Sequence, residues 1–222
     1  MEDSPLASPR SRTVTVGGRR VHLLGTIKGL LSEQDLVTEH LSKHSPSAVG
    51  LHIGPQELKG LRSVIDGKVR STYLSSYEKV YALKLSRFGE VQVPPPSLVG
   101  ALRWSMENDA RVIALDYSDD EYDRVYTETI GGMTLIRQSL RLKSLNRRKV
   151  RSTTPEAFCL EWDSWVNRPS GFRRLERKRE LHFAERVRAV AAKHTPLVVV
   201  LELERLDGII SSLREDRIPE GK

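Results

Sequence analysis

Several polar residues stand where apolar runs of this sequence stop, and their types are those of proton transfer and ion binding. Lys28 follows VHLLGTI, His52 lies near the end of AVGLHI, Asp116 closes RVIALD, and Glu202, Glu204 and Arg205 end or follow PLVVVLEL. Histidine titrates near neutral pH, so His52 could act as a general base, with Lys28 and Arg205 clamping an anionic group such as phosphate or carboxylate. The same residues could instead neutralise one another, because a charge taken out of water must be paired. A third reading makes His52 a polar strand-end residue with a local hydrogen bond. Lysine and arginine have no lone pair to give near neutral pH, so neither Lys28 nor Arg205 can ligate a metal. His40 and His44 have a spacing that could hold one, but no HExxH motif is present and a solvated helix end is the expectation. No Walker loop, GxGxxG loop or GxSxG elbow occurs.

The elements that must carry these residues follow from periodicity. TVTVGGRRVHLL (13–24) alternates on both sides of Gly17-Gly18, which predicts a hairpin with a two-residue turn. Ser32 with Asp35 reads as a capping pair for a helix ending at Ser45-Pro46. Residues 48–53, 111–116 and 196–203 read as strands. Between them lie helices around Leu58 to Ile65, Tyr73 to Phe88 and Pro94 to Asn108, and a helical stretch from 118 to 145 broken at Gly131-Gly132. A short helix carries Trp162 and Trp165, residues 171–194 form the longest helix, and residues 206–214 the last. Tyr77 and Tyr81 recur at core-facing spacing. Strands separated by helices predict an α/β fold, with a mostly parallel or mixed sheet covered by helices on its faces and opened by the N-terminal β-hairpin. In such sheets ligands collect beyond the carboxyl ends of the strands, so Lys28, His52, Asp116 and Glu202 to Arg205 should converge.

At 222 residues, 38% of them hydrophobic and 29% charged, the chain has the composition of one soluble globular domain. The reading is a disordered leader at 1–12, a single domain over 13–214 and a tail at 215–222, with no membrane-spanning segment and a cytoplasmic location. The lone Cys159 excludes an intrachain disulfide and is expected in the core. The net charge of +7 is concentrated: residues 137–151 hold seven basic side chains and no acid, and Arg168 to Arg179 add six against Glu176 alone. Arg147 and Arg148 are therefore anion-binding candidates, and a polyanion is a possible partner. The Trp162/Trp165 segment suggests homo-oligomer formation.

LLGTIK, SPSAVGLHI, IALD, KRELHFAERV (178–187) and ELERLDGI (202–209) come in an order that resembles a TraB/PrgY-type domain, a relative of the TIKI, GumN and erythromycin-esterase/ChaN-like proteins. The resemblance runs from Val21 to Leu213. It implies the same α/β fold and, in relatives, a divalent metal used for hydrolysis. Here the family's first histidine falls on Lys28, its strand-two glutamate on His52, its second histidine on Arg205, and its glycine pair on Glu202 and Glu204. Of the family's polar positions only Arg179 and Asp116 are kept. The resemblance thus implies a protein without the metal site and without a cofactor, acting as a non-catalytic binding or regulatory domain. The alternatives are a hydrolase with an altered, metal-independent site for an anionic substrate, and a basic protein associated with nucleic acid.

Overall fold

The computed structural model describes residues 10–68, 75–145 and 147–215. The expected leader up to residue 9, Tyr73 and the tail from residue 216 lie outside them. β1 (Ser11–Val16) and β2 (Arg19–Thr26) form the hairpin, with Val16 opposite Arg19. The turn needs positive φ at both central positions, and Gly17 (55°) and Gly18 (76°) supply it without strain. The first strand begins at Ser11, not Thr13, because Arg10 and Ser11 are tied to the second: Gly25 donates to the Arg10 carbonyl at 2.8 Å.

The chain continues through α1 (Glu33–His44), β3 (Ala48–Leu51), α2 (Pro55–Ile65), α3 (Ser76–Leu85), α4 (Pro96–Glu107), β4 (Arg111–Ala114), α5 (Asp119–Thr129) and α6 (Gly132–Leu145). It closes with α7 (Pro155–Val166), α8 (Ser170–Ala191), β5 (Leu197–Glu202), a 3₁₀ turn at Leu203–Arg205 and α9 (Leu206–Arg214). The strand order is β1-β2-β5-β3-β4, antiparallel only at the hairpin and parallel elsewhere. The fold is therefore α/β with a mixed sheet, as the strand and helix alternation predicts.

β5 is central, hydrogen-bonded to β2 on one side and β3 on the other. A strand buried on both faces reads as a continuous apolar run, and LVVVL does. Its side chains alternate: Leu197, Val199 and Leu201 pack with Phe183 and Val187 of α8 and Ile209 of α9, while Val198 and Val200 pack with Val37 and Leu41 of α1 and Leu102 of α4. Two helical layers thus enclose the sheet. A third cluster sits beyond its carboxyl edge, where Ile27 and Leu30 meet Leu85, Phe158, Cys159 and Trp162.

The Ser32–Asp35 cap does not form: Ser32 has helical backbone angles and its side chain caps nothing. Glu33 takes the place instead, buried and accepting from the Ile27 amide at 3.1 Å and from Arg10. Capping boxes occur at Ser75/Glu78 and Ser118/Glu121. The solvated helix end expected at His40 and His44 is also corrected. His44 stacks on His22 of β2 with ring centroids 3.8 Å apart, and His40 lies 4.5 Å from His44. No helix among the described residues is long and apolar enough to cross a membrane.

Candidate functional site

The parallel strands β2, β5, β3 and β4 all point one way, so their carboxyl ends open on a common edge, and two adjoining cavities lie there. The smaller, about 560 Å³, is lined by Lys28, His52, Asp116, Arg179 and Glu202, which brings together five of the residues singled out in the sequence. The larger, about 770 Å³, is lined by Glu204 and Arg205 and shares Lys28, Glu57, Tyr122, Arg179 and Glu202 with the first. Arg205 does not line the cavity that holds His52.

Each placement has a local cause. Lys28 stands two residues past Thr26, which is in register with Glu202 at the end of β5, and its Nζ lies 3.7 Å from Glu202 Oε1. His52 leaves β3 with its amide donating to the Val200 carbonyl at 3.1 Å, and its ring meets Phe183 edge-on at 4.8 Å. Asp116 follows β4 and accepts the Tyr117 amide at 2.8 Å. Arg179 reaches in from α8, where it pairs with Asp116 and with Glu176, one turn earlier, at 3.2 Å. Arg205, on the 3₁₀ turn after β5, pairs with Asp163 of α7 and lies 3.5 Å from both Glu176 and Glu180.

These pairings set the charge states. Burial pushes His52 below the ordinary histidine range in spite of Glu202 and Asp116, so the ring is neutral at pH 7. Its Nε2 is 3.7 Å from Asp116 Oδ2 and its Nδ1 3.9 Å from Glu202 Oε2. Neither contact is short enough for a hydrogen bond, and Nδ1 has no hydrogen-bond partner among the described residues. Arg179 Nε is likewise without a partner. Burial opposes ionisation of Glu202 and Asp116, yet Lys28 beside the one and Arg179 beside the other hold both below the usual carboxylate range. Glu202 in turn raises Lys28, whose side chain stays 45% exposed. Glu204 goes the other way, pushed up to about 8 by burial and by facing Glu202.

Among the described residues carboxyl groups outnumber cations in both cavities. Glu57, Asp163, Glu176 and Glu180 were not evident in the sequence as parts of a site. Glu176 and Glu180 had a signal, standing three before and one after Arg179. Asp163 had none, since it meets Arg205 only because α7 folds over the sheet edge. The strand-end carboxylates Asp116 and Glu202 each face a cation, Glu57, Asp119 and Asp123 also line the smaller cavity, and among the described residues His52 is the one imidazole lining either cavity. Among the described residues no group of three or more His, Cys, Asp or Glu side chains is placed to hold a metal ion.

Arg147 and Arg148 line neither cavity. They border a shallow surface cleft with Lys84, Arg87 and Lys149, and Arg148 lies over the Trp165 ring at 4.4 Å. Nor is the second basic run one solvated face: Arg179 turns inward, and Arg177 bonds Ser212 at 2.6 Å and Glu215 at 2.8 Å. Within the Trp162/Trp165 segment, Trp165 is half-buried and Trp162 is turned into the core. It is 3% exposed, donates from its indole N–H to the Tyr77 hydroxyl at 2.7 Å, and packs with Tyr81 and Phe158.

The fold and cavities define an α/β protein with a ligand-sized, charge-paired site at the carboxyl edge of a parallel sheet. No protein-family model matches the chain, and no curated protein matches it.

Proposed function

We propose that the chain is a TraB/PrgY-like protein in which ion pairs stand where relatives hold a metal, and that it works as a non-catalytic binding domain through the sheet-edge cavities. The observation that supports this most is the occupation of the carboxylates: Arg179 covers Asp116, Lys28 faces Glu202, and Arg205 is turned to Asp163, Glu176 and Glu180. A cation already paired with its own protein's carboxylates is a poor clamp for an anionic substrate, and a carboxylate already paired is a poor metal ligand. Lys28, on this reading, neutralises carboxylate. Metal analysis of protein purified without chelator tests it. The expected result is no stoichiometric divalent ion and an unfolding temperature unmoved by chelator. A stoichiometric ion that is lost in His52→Ala overturns it.

One observation favours the second reading, an altered hydrolase. His52 is neutral, so one of its ring nitrogens keeps a lone pair, as a general base must. The carboxylates around it repel an anionic substrate, which limits this reading to neutral or cationic ones. Turnover of a chromogenic ester that disappears in His52→Gln, with folding intact, would establish it over the first.

A further inference from the structure

The larger cavity has two unlike walls. Tyr77 and Tyr81 of α3 and Trp162 of α7 line it with aromatic surface, joined by Val64, Val91 and Leu98. The hydroxyl of Tyr77 and the indole N–H of Trp162 satisfy each other, and Tyr81 faces Cys159 Sγ at 3.3 Å, so this wall has little polar demand left. The other wall is acidic: Glu57, Glu78, Asp163, Glu176, Glu202 and Glu204, against Lys28, Arg179 and Arg205. The three cations are engaged by Glu202, Glu176 and Asp163, and by Asp116 next door. Glu78 is taken up by the α3 cap, accepting from the Ser75 amide at 2.9 Å and hydroxyl at 2.8 Å. Glu57 accepts only a long bond of 3.4 Å from the Gly54 amide, and Glu204 makes no ion pair among the described residues.

The adjoining smaller cavity adds an independent sign. His52 is a buried side chain, 3% exposed, and its Nδ1 goes without a partner. The groups left over are thus Glu204 and Glu57 in the larger cavity and His52 Nδ1 in the smaller, while among the described residues the one unmet buried arginine N–H lining either cavity is Arg179 Nε. What is missing is a group that brings N–H donors and positive charge.

We propose that the larger cavity binds an organic cation: an ammonium group paired with Glu204 beside Glu202, carried on an apolar body that lies against Tyr77, Tyr81 and Trp162. Aromatic faces attract such a cation through their quadrupole, and a carboxylate in a desolvated pocket pairs with it far better than in water. The volume of about 770 Å³ suits a ligand of ordinary small-molecule size. The inference rests on the reading of the sheet edge as a binding site and names the class of ligand it takes.

The test is a matched charge series titrated calorimetrically into the full chain at pH 9, where Glu204 has given up its proton and the amine still carries its charge: 2-phenylethylamine, 2-phenylethanol and phenylacetate. The amine should bind saturably at one site, the neutral alcohol at least about tenfold more weakly, and the acid not measurably. Glu204→Gln should weaken the amine by about tenfold and leave the alcohol unchanged, since it removes a charge and keeps the shape. Glu57→Gln, at a helix N-terminus on the shared wall, gives a second, smaller loss of amine binding. Phenylacetate or the alcohol binding as tightly as the amine overturns the cation assignment while the binding-domain reading stands. An amine affinity unchanged in both variants overturns it as well. Failure of all three probes overturns the inference, and the binding-domain reading is then judged by the metal analysis alone.

Discussion

Replacing Arg205 by methionine, a side chain of similar reach without charge, should be among the most damaging single changes away from the apolar core. The Arg205 side chain is 7% exposed, and its guanidinium is the cation toward which Asp163, Glu176 and Glu180 turn, with exposures of 26%, 13% and 13%. Glu176 keeps Arg179 and Glu180 keeps Arg177 at 3.7 Å, so the variant leaves a partly compensated cluster of three carboxylates, not three isolated ones. Removing one partner of a buried pair costs about 3–5 kcal/mol. For a chain of this length that corresponds to a fall of roughly 10 °C in Tm. Differential scanning calorimetry and urea unfolding of the two proteins measure it. The pH dependence of the difference is a second signature. Burial already raises Glu180 above the ordinary range and Arg205 draws it down, so without Arg205 it takes up a proton more readily. The penalty should therefore be largest near pH 8 and shrink toward pH 5. Arg205→Lys, which keeps charge but loses the planar fork, should recover part of the loss. A fall below about 1 kcal/mol for the methionine variant, or a penalty that does not change with pH, would refute the assignment of Arg205 as the charge that holds this edge together.

Glu204, pushed up to about 8 in the folded chain, binds a proton that the unfolded chain releases near 4.5, so stability should fall as pH rises through that window. Glu204→Gln should flatten this part of the stability curve in urea titrations at stepped pH. His40 is driven down to about 4 by burial and by His44 and His22, so the unfolded state takes up the proton first and stability should fall as pH drops from about 6.5. His40→Leu should raise Tm relative to the parent at pH 5 and by less at pH 8, and an equal gain at both would rule out titration as the cause. In Gly208→Ala the new Cβ would lie 2.3 Å from the Glu180 carboxyl carbon, which has to swing away from Arg205. A loss of about 1–3 kcal/mol is expected in chemical unfolding.

The strand ends were legible because their cause is local. Runs such as AVGL and LVVVL bury both faces, parallel strands finish on one edge, and the first polar residues past them, Lys28, His52, Asp116 and Glu202, must gather there. The glycine pair at the hairpin was legible for the same reason, since its backbone requirement is written in two adjacent residues. Ser32 misled because a cap signal is only a local preference, and Glu33 found a stronger partner in Arg10, distant in sequence. The basic run ending at Arg179 misled in the opposite sense. Composition reports charge but not direction, and α8 turns Arg179 to Asp116 while Arg177 goes to the last helix. The pairing of Asp163 with Arg205 and the aromatic wall of Tyr77, Tyr81 and Trp162 depend on where α3 and α7 pack, which no spacing announces.

The place of β5 in the sheet has a consequence for how the chain is made. Of the five described strands this one is the last to be synthesised, yet it separates β2 from β3, whose own order in the chain is first and second among the parallel strands. Until residues 197–202 emerge, both of those strands present open edges of unmatched backbone groups, and apolar surface meant for the two helical layers has no sheet to cover. Pairings that span about 175 residues form slowly, because a long loop must be closed before they reward it. The five-stranded sheet is thus completed from its centre, by β5. Nascent chains stalled before Leu197 should be bound by chaperones and cut by proteases, and those that have extruded Glu202 should resist both.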